Sequence, residues 1–163
     1  MSNAANEDLV RRRMLSCDYE AVFAQGGCFH FALRLMERGR VDRVRGIRSN
    51  CGSVVPKHVW GVIKIGGQDK GIDIRGIYRE EILVEMACGI QGGAPGTNVG
   101  DVTKAELREF IKMKGWSDGL TKELNDLADK IVDSHKRFEE AKPLDPKENA
   151  EFQRCLNERA TSG

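Results

Sequence analysis

The stretch KHVWGVIKIGGQDKGIDIRGIY, Lys57 to Tyr78, carries the clearest hydrophobic pattern in the chain. Val59, Gly61, Ile63 and Ile65 alternate with Trp60, Val62 and Lys64, which predicts a strand with both faces largely apolar. Gly66-Gly67-Gln68-Asp69-Lys70 reads as a hairpin loop, and Ile72 and Ile74 flanking Asp73 read as the returning strand. Upstream, Leu9, Met14 and Val22 give one apolar side to a helix over Asp8 to Phe23, and Gly26-Gly27 breaks it. From Cys28 the spacing of Phe31, Ala32, Leu35 and Met36 predicts a second helix, stopped by Gly39. An Arg-rich connection follows, with turn chemistry at Ser49-Asn50 and Cys51-Gly52-Ser53.

Downstream the pattern turns helical. Ala87 to Gly100 is glycine-rich and is expected to be a loop. Thr103 and Glu106 form a capping box for a helix reaching about Lys114, ended by Gly115. Ser117 or Asp118 caps a longer helix through Leu120, Leu124, Leu127, Ile131 and Phe138, which Pro143 ends. Asp145-Pro146 opens a last helix with Phe152, Cys155 and Leu156. The expectation is one α+β domain over residues 1–163, with a core at 20–85 and a helical C-terminal portion at 101–160.

Composition changes this picture only by exclusion. Lys and Arg number 26 against 25 Asp and Glu, so no net field draws the molecule to nucleic acid or an acidic membrane. The basic runs Arg11-Arg12-Arg13 and Arg38, Arg40, Arg43, Arg45, Arg48 read as a solvated face, because no aromatic residue interleaves the second run as a stacking platform. No apolar run approaches the roughly 18 residues of a membrane span. Met1 to Val10 is polar and lacks the apolar centre of a signal peptide. Cys17, Cys28, Cys51, Cys88 and Cys155 include no close pair, so neither a disulfide framework nor a zinc ribbon is expected. A cytoplasmic, reducing setting fits these features, as does signal-independent export.

Candidate chemistry centres on Cys28. A helix start lowers a thiol pKa through its unpaired N–H groups and the positive end of its dipole, and those N–H groups can also hold an oxyanion. Of three histidines, His135 reads as helix surface, and His30 is two residues from Cys28 and so points to another side of the helix. His58, at the start of the first hairpin strand, is placed to act as a base. Asp73 sits between two isoleucines, where a charge is expensive unless paired, and the returning strand can bring it near His58. The register is offset, so a bulge, a displaced strand start or a diagonal contact is needed to join them. Taken singly, Cys28 reads as a core filler, His58 as a satisfied strand residue, and Asp73 as a strand end or the partner of Arg75.

GGCFHFALRLMERG, HVWGVIKI and GIDIRGIY together resemble the papain-like cysteine hydrolases, among them NlpC-type and CHAP amidases and transglutaminase-like bacterial or phage proteins. The resemblance spans about Gln25 to Tyr78. It implies a nucleophile helix on a small antiparallel sheet, with Cys28 as nucleophile, His58 as base and acid, and Asp73 as the orienting residue. Gln25 is similar in type to the oxyanion glutamine of that group, although it lies very close before Cys28. The DCSG-like and GNCTWY-like strings of cell-wall amidases are absent, which speaks against a peptidoglycan substrate. The implied activity is thiolate attack on an amide or related acyl bond of a peptide, protein or other amide, without metal or cofactor. Peptidase, amidase, deamidase and acyl-transfer outcomes share these steps. Two alternatives stand beside it. One is a non-catalytic interaction module using the helix around Leu124, Leu127 and Ile131. The other is a zinc protein using Cys28, His30, Cys51 and His58, whose spacing matches no common zinc module.

Overall fold

The strand that is apolar on both faces, His58–Ile65, becomes the middle of a five-stranded antiparallel sheet in a computed structural model. The structure describes residues 3–24, 26–49, 54–89 and 96–134. In chain order these residues form α1 (Asn3–Leu15), α2 (Tyr19–Ala24), α3 (Cys28–Glu37), β1 (Arg43–Ser49), β2 (His58–Ile65), β3 (Gln68–Asp73), β4 (Gly76–Arg79), α4 (Glu80–Cys88), β5 (Thr97–Val102), α5 (Lys104–Met113) and α6 (Asp118–Ser134). The sheet order is β4-β3-β2-β1-β5, and every neighbouring pair is antiparallel. The α+β class read from the sequence is the observed one.

Both faces of the sheet are covered, which is why β2 alternates without a polar side. Val59 and Ile63 face the helices α3, α5 and α6, where they meet Phe29, Phe31, Leu35, Leu107 and Leu124. Trp60 and Val62 face α4, packing with Tyr78, Ile82 and Leu83. α6 lays Leu120, Leu124, Ala128, Ile131 and Val132 into the core, all buried. Through these residues α6 packs on α3.

Four expectations change. The proposed helix over Asp8 to Phe23 is two helices, because Cys17 takes a left-handed turn (φ 58°) and Asp18 accepts from the Ala21 N–H at 3.3 Å to start α2. The Arg-rich connection is strand β1. Its period is hidden because Arg43 and Arg45 lie on the face that carries Ile47 and are paired while still partly in solvent, Arg45 with Glu80 at 3.2 Å and Arg43 with Asp69 at 2.7 Å. Arg48, on the other face, pairs Glu106 at 3.0 Å. The expected loop over Ala87 to Gly100 contains the end of α4 and most of the edge strand β5. The hairpin loop is shorter than expected. Only Gly66 and Gly67 turn, at φ 59° and 81°, the positive values a two-residue turn of this type demands. The anticipated last helix, the Pro143 stop, Phe138, His135, Cys51 and Cys155 lie outside the described residues. Elsewhere the expectation holds: Thr103 and Glu106 cap α5 reciprocally, and the Ser117 hydroxyl accepts from the Leu120 N–H to cap α6.

Gly71 in β3 shows how tightly the α4 face is filled. A Cβ there would sit 2.2 Å from Leu83 Cδ1 and 2.8 Å from Trp60 Cδ1. Gly71→Ala should therefore lower stability by about 1–3 kcal/mol through overpacking, measurable as a reduced urea midpoint with an unchanged slope.

Candidate active site

The chain presses two helices together to place Cys28. The Gly27 N–H donates to the Val22 carbonyl at 2.8 Å, and a Cβ on Gly27 would lie 2.7 Å from that same oxygen. Only glycine allows α2 to end so close to the start of α3. No side chain caps α3 at Gly27, so the first-turn N–H groups around Cys28 keep their unpaired character.

His58 opens β2, and Asp73 closes β3. The register pairs Gly61 with Ile72, and one further step sets Asp73 across from Trp60. Asp73 is then diagonal to His58 on the same face of the sheet, and the offset noted in the sequence is resolved by that diagonal. His58 Nε2 meets Asp73 Oδ2 at 3.0 Å. The ring's other nitrogen, Nδ1, is buried and has no partner at full hydrogen-bond geometry among the described residues. The Cys28 thiol interacts with the His58 side chain, and each group shifts the other's titration.

Arg75, in the turn between β3 and β4, fixes the carboxylate. Its backbone N–H donates to Asp73 Oδ1 at 2.8 Å, while Nε and Nη2 donate to Oδ2 at 3.1 and 2.5 Å. The two readings of Asp73 open at the sequence level, partner of Arg75 or partner of His58, are thus both true of one carboxylate. Arg75 Nη2 also lies 3.3 Å from His58 Nε2. A guanidinium only donates and a carboxylate only accepts, so a proton on Nε2 commits the imidazole to Asp73 and turns the lone pair of Nδ1 toward the thiol.

Cys28, His58 and Asp73 are 4%, 3% and 2% exposed, so their charges act in a nearly water-free setting. Burial alone pushes the Cys28 thiol up. Hydrogen bonding and charge from His58, the Val59 backbone and the charge of Lys114 together outweigh it and bring the thiol below its ordinary value. Burial likewise works against a charged His58, but Asp73 and Cys28 raise it to about 9. Burial opposes ionisation of Asp73 too, yet His58 and Arg75 hold its carboxyl far below the usual range. All three shifts favour one state, a thiolate beside an imidazolium backed by a carboxylate.

Of the residues singled out from sequence, the structure brings Cys28, His58 and Asp73 together. Gln25 lies outside the described residues. His30 is not part of this cluster; it is fully buried and stacks on Trp116 with ring centroids 5.6 Å apart. Among the described residues no group of three or more His, Cys, Asp or Glu side chains gathers as a metal site. Sequence reasoning gave Arg75 no role at the site and did not raise Lys114. The signal for Arg75 was its position two residues after Asp73 in a turn; nothing in the sequence pointed to Lys114, which arrives from α5. No protein-family model, curated protein or solved structure matches this chain, so the site is read from its own geometry.

Asp73→Asn removes the carboxylate that answers Arg75 and His58, while Glu20 still acts on Arg75, and should cost about 1–3 kcal/mol at neutral pH. Because the Asp73 pKa is lowered on folding, its contribution is present above the ordinary value of 3.8 and is lost as pH falls through and below it. Urea denaturation from pH 7 to pH 3 should show the gap between wild type and variant narrowing on the acid side.

Proposed function

We propose that the protein is a cysteine hydrolase of papain-like plan, attacking an amide or related acyl bond. The observation that carries this reading is the convergence of a thiol at an uncapped helix start, an imidazole and an Arg-braced carboxylate from three separate elements. Their mutual charges favour the ionised thiol.

In this reading His58 Nδ1 takes the Cys28 proton, and Asp73 holds the ring and balances the imidazolium. The thiolate adds to the acyl carbon, and N–H groups at the start of α3 receive the developing oxyanion. Collapse of the tetrahedral adduct breaks the C–N bond, His58 returns its proton to the leaving amine, and an acyl-thioester remains on Cys28. Water, deprotonated by His58, then releases the acid and restores the thiol. An amine in place of water would give acyl transfer by the same steps. A second reading, a non-catalytic domain of the same plan, draws on one observation, the burial of Cys28, since enclosed thiols are inert.

Alkylation separates the two. Iodoacetamide followed by peptide mapping should modify Cys28 with a half-point below the ordinary thiol value of 9.0. His58→Ala removes the largest influence lowering the thiol pKa and leaves burial to dominate, so the half-point should rise above 9.0. Hydrolysis should weaken above about pH 9, where His58 loses the proton it must give to the leaving group. A Cys28 that resists alkylation while exposed Cys17 reacts would favour the non-catalytic domain.

A further inference from the structure

Lys114 follows the last turn of α5 and reaches over the start of α3. Its Nζ lies 3.6 Å from the position a Cβ would take on Gly26, and 5.6 Å from the centroid of the Phe29 ring. Gly26 and Phe29 bracket Cys28 in the chain, so the ammonium lies over the start of the helix that carries the thiol, and its charge is felt there. On its other side it sits 5.3 Å from the Trp116 ring. Two aromatic rings and the carbonyl end of α5 make the charge tolerable there. None of them is a counter-ion.

Most arginines of the described chain are answered by carboxylates, although Arg40 and several lysines are not. Arg34, Arg38, Arg43, Arg45, Arg48, Arg75 and Arg108 each pair with a carboxylate. No carboxylate lies within ion-pair distance of the half-buried Lys114 among the described residues. Beside it stands a second unanswered group. His30 is 0% exposed, and neither ring nitrogen has a hydrogen-bond partner among the described residues, although at least one must carry a proton. An unpaired ammonium over the nucleophile helix, with an unpartnered imidazole behind it, leaves donors without an acceptor among the described residues.

We propose that Lys114, with His30 behind it, recognises a carboxylate on the substrate close to the acyl carbon that Cys28 attacks. This rests on the reading of Cys28 as a nucleophile and narrows it. The substrate is an acidic acyl compound, either a peptide ending near the attacked bond in a free carboxylate or one carrying an Asp or Glu side chain there. Trp116 stacks on His30 and flanks Lys114, so it serves as a positioning residue that keeps both donors in place.

The test uses two alkylating agents that differ in charge, iodoacetate and iodoacetamide, on the full chain with peptide mapping of Cys28. Their rate ratio at one pH cancels the fraction of thiol ionised, and with it the influence of Lys114 on the thiol pKa. Wild type should favour iodoacetate, and Lys114→Gln should lower the iodoacetate-to-iodoacetamide ratio by about tenfold. Lys114→Arg keeps the charge and should retain most of the preference, which guards against a loss caused by misfolding. Protection of Cys28 from iodoacetamide by acetyl-glycyl-glycine would assign the carboxylate to a chain end. Protection by acetyl-glutamate amide would assign it to a side chain. A Cys28 alkylated readily, with a ratio unchanged in Lys114→Gln, would overturn this proposal and leave the hydrolase reading standing. A Cys28 inert to both reagents would overturn both.

Discussion

A buried carboxylate with no water around it is tolerated only if its oxygens are answered, and at Asp73 both are. Oδ1 takes the Arg75 N–H, and Oδ2 takes the Arg75 guanidinium and the His58 ring. That cluster ties the end of β3 to the start of β2 and fixes the turn into β4, so the position of the imidazole is part of the fold. A charge placed there for chemistry alone would be a liability to stability. Bracing it with an arginine from the next turn makes the same group stabilise the sheet.

The arginine also tempers what the carboxylate does for the histidine. Part of its negative charge is spent on a guanidinium, so the imidazole feels a weaker pull than a lone carboxylate would exert. His58 is raised to about 9 through Asp73 and Cys28 jointly, which makes the state of the ring dependent on the state of the thiol. The two groups therefore titrate as a pair. Both groups are enclosed, and the protein supplies the fixed dipoles that water would otherwise provide.

The fold was legible where hydrophobic period and local punctuation agreed. The alternation in β2, the Gly66-Gly67 turn, the Thr103 and Glu106 box and the helix from Cys28 to Gly39 each carried two independent signals. It was illegible where tertiary pairing replaced local pattern. β1 is rich in arginine, and its carboxylate partners from other elements, beside the buried Val44 and Ile47, explain why it is a strand. β5 reads as a glycine-rich loop because an edge strand packed on one neighbour needs little apolar content. The site divides the same way. Cys28, His58 and Asp73 stood out by residue type and by the elements they begin or end. Their joining needed the register, which the sequence left between three solutions. Lys114 arrives from a helix distant in the chain, and no spacing rule could bring it to Cys28.

The two-glycine turn at Gly66 and Gly67 holds the register on which the far end of the hairpin depends. Residues across from one another share a face, so Asp73 reaches the face of His58 because it stands across from Trp60. A one-residue slip of that register would turn the carboxylate to the opposite side of the sheet, among the side chains that pack on α3. The exposed tip and the buried Asp73–His58 contact therefore hold one alignment from its two ends, and a tip lengthened without a slip would leave the contact in place.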